Sequence, residues 1–190
     1  MARIEAREAE RQAAVLAAGL MAAAARTAPK TRGLDSLRTL ILDGEDLESL
    51  AKAMETKHDT KRTKLATIAR DAKNVRASAA VLLLGVTGEP KRPQAPLDCG
   101  GCGCSGCQEF IAASKEEGQD FRGPLCIYQV MDLGIALGVA AKMAGELCMD
   151  SRIMYSIGAA ARQAGYLGEC DVVIGLPLSV TGKNPYFDRP

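Results

Sequence analysis

AAVLLLGV, residues 79–86, is an unbroken apolar run of strand length, and its reading decides the fold class. A short run without polar alternation marks a strand covered on both faces, because a half-exposed strand alternates apolar with polar side chains. Upstream, LRTLIL (37–42) reads as a second short strand. Asp43-Gly44 then turns the chain into a helix capped by Asp46 or Gly44 and running through Leu47, Leu50, Ala51 and Met54. Residues 4–26 are Ala-rich and free of proline, which favours helix. That helix stops at Thr27-Ala28-Pro29, since the residue before proline is pushed out of the helical region. Residues 57–73 are highly charged and fit either helix or loop.

Downstream, residues 87–97 carry Pro90, Pro93 and Pro96 with Lys91 and Arg92, which reads as an extended surface linker. A cysteine loop follows at 98–107, then a short helix at 108–117 and another loop at 118–124. Residues 125–147 form a long helix with Gly134 and Gly138, and Ala136, Ala140 and Ala144, at four-residue spacing, where another backbone could approach closely. A further helix over 156–164 and a buried strand over 171–175 complete an α+β chain.

Hydrophobic residues make up 47% and charged residues 25%, a globular rather than disordered composition. With 24 basic against 23 acidic residues, the net charge of +1 offers no electrostatic footprint for nucleic acid or an anionic membrane. An aromatic fraction of 4% without Trp leaves no platform for stacking bases. MARIEAREAERQ is too densely charged for a secretory signal, so a cytoplasmic location is expected. The apolar stretch 125–149 holds Asp132, Lys142 and Glu146, which suits a buried helix better than a membrane span.

Seven cysteines are many for a chain of 190 residues in a reducing compartment, where clustered thiols bind metal or do redox work. Within DCGGCGCSGCQEF, Cys99, Cys102 and Cys107 make a C-x₂-C-x₄-C pattern, and Cys126 follows Gly123-Pro124 at the start of the long helix. Three thiolates on one loop grip three corners of a cubane, and the fourth corner needs a sulfur returned by the fold. Gly100, Gly101, Gly103 and Gly106 permit the tight turns that wrapping a cluster requires and leave N–H groups for the sulfides. Cys104, inside the x₄ segment, is an alternative ligand or a nearby thiol. The knuckles 99/102 and 104/107 are too close for a zinc ribbon, although zinc on the four favoured cysteines stays open. Cys148 and Cys170 read as buried inert thiols. His58, in a charged run, reads as a solvated surface residue, and Asp132 as a helix-start acid paired with an amide or an arginine.

The runs ARTAPKTRGLDSL, DCGGCGCSGC, GPLCIYQVMDLGIALGVAAKMA, DSRIMYSIGAAARQAG and DVVIGLPLSVTGKNPYFDR resemble, in this order, a family of uncharacterised ferredoxin-domain proteins of anaerobic bacteria and archaea. The resemblance maps a [4Fe–4S] cluster onto Cys99, Cys102, Cys107 and Cys126. The loop also resembles the iron–sulfur segment of corrinoid iron–sulfur proteins, which usually have another residue where Cys104 stands. A fold-level resemblance to flavin nitroreductases rests on MAAAARTAPKTRGLDSLRTLILDGEDLESLAKAM, DLGIALGVAAKMAGEL and DVVIGLPL. It implies a nitroreductase-like sheet flanked by helices, over 1–96 and 127–190, with 97–126 inserted as the cluster segment. It further implies a homodimer through the long helix.

Nitroreductases hold the FMN phosphate with basic groups near both termini. Lys183 and Arg189 are the candidates for the carboxy-terminal group, while Arg3, Arg7 and Arg11 have the spacing of a solvated helix face. FMN is therefore disfavoured. The expected function is electron transfer with an unidentified redox partner, as a carrier or an oxidoreductase subunit. The alternatives are a flavin-dependent iron–sulfur reductase and a structural or regulatory metal-binding module. No catalytic acid, base or nucleophile stands out.

Overall fold

The structure is a computed structural model that describes residues 3–187. Its elements run α1 (Ala6–Thr27), β1 (Arg38–Asp43), α2 (Glu45–Thr60), α3 (Ala66–Arg76), β2 (Ala80–Val86), α4 (Cys107–Ala112), β3 (Glu116–Glu117), β4 (Arg122–Gly123), α5 (Ile127–Glu146), β5 (Asp150–Ser151), α6 (Tyr155–Gln163) and β6 (Val172–Ser179). A four-stranded antiparallel sheet has the order β1-β2-β6-β5, and β3 pairs with β4 as a separate small ribbon.

All seven residues of β2 are buried, because helices cover both faces of the sheet. Ala80, Leu82, Leu84 and Val86 pack with α1 and α5, through Ala17, Met21, Leu133 and Ala140. Val81 and Leu83 point the other way, to Leu50 and Met54 of α2, Val75 of α3 and Ile157 of α6. The period of two along the strand thus feeds two separate cores. On the second face α6 lies almost on the backbone of β6. A Cβ on Gly158 would stand 1.9 Å from the Val173 carbonyl oxygen, so only glycine permits that approach.

Several boundaries differ from the sequence reading. The charged stretch 57–73 is resolved as the end of α2, a short loop and the start of α3. Of the two cap candidates for α2, Gly44 holds the position, at φ 55°. The expected helix over 108–117 shrinks to the six residues of α4, because the chain then turns out into the β3–β4 ribbon. The strand expected over 171–175 starts one residue later, at Val172, and continues as β6 through Leu176-Pro177-Leu178 to Ser179. Pro177 is tolerated despite its missing N–H. The proline-rich segment is on the surface at 92–95, but Pro90 and Lys91 are buried.

The helix α5 has the length and composition of a membrane span. Here one side of it packs on α1 and the sheet, burying Gln129, Asp132, Leu133, Ala136, Leu137, Ala140 and Ala144. The other side, with Ile127, Val130, Met131 and Ile135, is exposed.

Candidate metal centre

The site starts where β2 ends. Gly88, at φ +67°, turns the chain so that its carbonyl accepts the N–H of Cys126 at 2.8 Å. That bond fixes the thiol that opens α5, of which Cys126 is the N-cap residue.

The cysteine loop is folded by its own polar groups. Asp98, at φ 46°, accepts the N–H of Cys107 on Oδ1 at 2.7 Å, which closes the loop at its base. Gly103 donates to the carbonyl of Gly100 at 3.0 Å, with both glycines at positive φ. Glu109 accepts the N–H and the hydroxyl of Ser105, each at 2.6 Å, and those two bonds hold its carboxyl below the usual carboxylate range. The loop then lies against α5: a Cβ on Gly101 would stand 2.8 Å from Cγ2 of Ile127.

This folding brings Cys99, Cys102, Cys107 and Cys126 around one hollow, whose other walls include Pro90 and Phe110. Cys104 is not part of that lining. It stands beside Cys102, and its thiol is pushed up, first by burial and then by the bond to Cys102 and the charges of Cys102, Glu109 and Cys107. The donors are soft thiols in apolar walls, with no imidazole or carboxylate among them, which suits iron–sulfur chemistry. A single zinc ion would need its sulfurs within about 3.8 Å of one another. Among the described residues no three His, Cys, Asp or Glu side chains gather tightly enough to hold one ion.

A protein of Archaeoglobus fulgidus is 42% identical over 174 residues, spanning 92% of this chain and 90% of its own length, and is described only as an uncharacterized protein. Residues 122–189, which include Cys126, match the family model "Uncharacterized protein containing a ferredoxin domain (DUF2148)". This chain belongs to that family. The description of that family names a ferredoxin domain, an iron–sulfur electron-transfer module.

The fold of this ferredoxin-domain protein is that of the nitroreductases. A nitroreductase with bound FMN from Desulfitobacterium hafniense aligns over 92% of the chain and 82% of its own, at a TM-score of 0.55 and 10% identity. A BluB-like flavoprotein from Clostridium difficile aligns over 92% and 83%, at 0.54 and 17%. Nitroreductase A of Vibrio parahaemolyticus aligns at 0.54 and 14%, and there the chain spans 60% of the other protein's length.

The remaining candidates fall elsewhere in this member of the family. Lys183 follows the Ser179 end of β6, whereas the thiols gather at the opposite end, where Val86 pairs with Val172. The seven-residue strand β2 between those two ends is about 20 Å long. Arg7 and Arg11 line a groove with Ser179 and Thr181 at that same far end, so the basic candidates are near one another and away from the cysteines. Arg189 lies outside the described residues.

Cys170 is buried, and burial, the main cause, raises its thiol to about 12. Cys148, read as buried, is instead exposed, at φ 55° just past the end of α5, where the chain leaves the core to reach β5. His58 is half-buried rather than solvated, with Nδ1 3.1 Å from the Leu65 carbonyl oxygen, because the loop after α2 folds back over it. Asp132 does pair with an amide, accepting the N–H and the hydroxyl of Thr31 at 2.9 Å each, but its charge partner is Lys91. Lys91 was legible only as part of a proline-rich linker, although an acid on an apolar helix signals that some buried cation must meet it.

Proposed function

We propose that the protein carries one [4Fe–4S] cluster on Cys99, Cys102, Cys107 and Cys126. On this reading it moves single electrons in the cytoplasm, as a carrier or as the cluster subunit of an oxidoreductase. The observation that carries the reading is the convergence of three loop thiols and one helix-start thiol on one hollow without other ligand types. Such a cluster supplies one-electron chemistry that side chains lack.

The chain's own residues give the site its properties. Phe110 and Pro90 limit water at one wall. The N-terminus of α5 places its positive end at Cys126, where it would meet the negative charge of a cluster-bound sulfur. Cys99 is exposed and offers a redox partner a short route to the site. Segment 97–126 acts as an insert in the nitroreductase-like frame, clamped to β6 by the pairing of Lys115 and Arg122 with the buried Asp171.

The exposed apolar side of α5 is proposed as the seam of a homodimer. It presents Val130, Met131 and Ile135 beside Gly134 and Gly138, neither of which has an atom within 4 Å of a Cβ built on it. Such a stripe is left for a second backbone to fill.

A flavin–cluster reductase is the second reading, favoured by the FMN named with the Desulfitobacterium nitroreductase. The placement of Lys183, Arg7 and Arg11 at the far end of the sheet weighs against one flavin reaching both these cations and the thiols of the same chain. FMN is therefore expected to be absent or weakly held.

The test is protein purified without oxygen. About four iron and four sulfide per chain with a broad visible absorbance support the cluster, and a zinc-only protein would end the proposal. Titration with FMN followed by flavin fluorescence decides the second reading. Submicromolar quenching lost in Lys183→Ala would make the reductase the better account.

A further inference from the structure

We infer that Lys91 sets the reduction potential of the cluster, its buried ammonium stabilising the electron that the cluster takes up, with Asp132 as the counterweight. This rests on the cluster assignment proposed above.

Lys91 sits between the buried Pro90 and an exposed stretch over 92–95, and only 4% of its side chain is exposed. Its partner Asp132, on α5, is 5% exposed. An ion pair this deep loses two hydration shells and is on average no more stabilising than an apolar pair of the same volume. Stability alone therefore does not account for the buried pair.

The location points to a role. Lys91 lines a second hollow together with Cys99, Cys107, Cys126, Thr31 and Tyr128. This hollow shares Pro90 and those three cysteines with the hollow that the thiols enclose, so the two are contiguous. Asp132 lines neither. Its carboxylate is occupied by the N–H and hydroxyl of Thr31 and by Lys91. The ammonium donates to Asp132 and to the Leu34 carbonyl, which uses two of its three N–H bonds. The third has no partner among the described residues and belongs to a group that walls the thiol site.

The charge argument follows from these positions. Reduction adds one electron to the cluster, with no bond made or broken, so the site becomes more negative by one charge. A buried cation beside the site stabilises that form and raises the potential, and a donated N–H to sulfur acts in the same direction. The carboxylate of Asp132, which lines neither hollow, opposes this more weakly.

The experiment uses full-length protein purified anaerobically with its cluster. It is titrated with dithionite, the reductant, and followed by electron paramagnetic resonance and visible absorbance. Lys91→Met is expected to keep its iron and shift to a more negative potential, while Lys91→Arg stays near the wild type. Asp132→Asn, which leaves the cation unopposed, is expected to shift the other way. A purely structural pair would not move the potential in opposite directions. If single variants fold poorly, the apolar pair Lys91→Met/Asp132→Leu keeps the buried volume, and its potential must still fall below the wild type. An unmoved potential in a loaded Lys91→Met protein, or shifts of the same sign in both single variants, would overturn this inference alone. A wild type without iron and sulfide would overturn the cluster assignment and this inference with it.

Discussion

The carbonyl of Gly88 receives the N–H of Cys126 at 2.8 Å, so the chain leaving the central strand holds the thiol that opens α5. Gly88 adopts φ +67°, and a Cβ there would stand 2.4 Å from Cδ2 of Leu125, the neighbour of Cys126. Gly88→Ala is therefore expected to move Cys126 as well as strain the turn. Non-glycine residues in such a conformation cost about 1–3 kcal/mol. A fall in Tm of roughly 2–10 °C should accompany it, with iron content well below the wild type. An unchanged iron content would mean that this bond does not position the ligand.

Replacing the cysteines one at a time separates ligands from bystanders. Cys126→Ser should lose most of its iron, whereas Cys104→Ser and Cys148→Ser should keep about four per chain. Alkylation with iodoacetamide at pH 8 gives a second readout on the loaded protein. The exposed Cys148 should react, and Cys170, buried with its thiol raised to about 12, should stay unmodified until the protein unfolds. Retention of the full cluster in Cys126→Ser would reassign the fourth ligand.

Gly134 on α5 has nothing within 4 Å of a Cβ built on it, so the single chain has room for a larger side chain. Gly134→Leu should leave the circular dichroism spectrum and the fold intact while weakening self-association at least tenfold, by blocking close approach at the seam. Light scattering after size exclusion reads the outcome. A wild type that is monomeric at micromolar concentration would remove the homodimer.

The acid limb of stability should report on Asp120. Burial raises its carboxyl, but the hydrogen bond from Lys61 and the paired ammonium groups of Lys57 and Lys61 outweigh that, and the net direction is down. A carboxyl depressed in the folded state stabilises the protein above its ordinary value of about 4 and loses that contribution as pH falls through the lower folded value. Asp120→Asn should therefore cost about 1–3 kcal/mol at neutral pH and flatten the loss of stability below about pH 4. Urea unfolding of both proteins between pH 2.5 and 7 checks this, and parallel curves would assign the acid limb to other carboxylates.

Much of the fold was legible locally. The apolar run ending at Val86 announced a strand buried on both faces, and Pro29 announced the end of α1. The thiol pattern named four candidates, and all four line one hollow. The misread residues share one physical cause, which is that burial is set by what packs over a segment. Cys148 has apolar neighbours in sequence yet lies at a positive-φ turn outside the core. His58 has charged neighbours yet is covered by the loop that leaves α2. The helix expected over 108–117 is cut short where Lys115 reaches across to Asp171 and Glu89.

The sequence by itself pointed to metal or redox chemistry, because thiols at C-x₂-C-x₄-C spacing and glycines between them are local properties that need no knowledge of the fold. Only the tertiary structure decided how the fourth thiol joins the other three. Cys126 is far along the chain from the loop, and the bond from Gly88 together with the packing of Gly101 on Ile127 brings it there. The tertiary structure alone also buried Lys91 against Asp132, forty-one positions apart, beside the thiols. A charge pair of that kind acquires its meaning from the low-dielectric surroundings that distant segments create, and no stretch of sequence holds both halves of it.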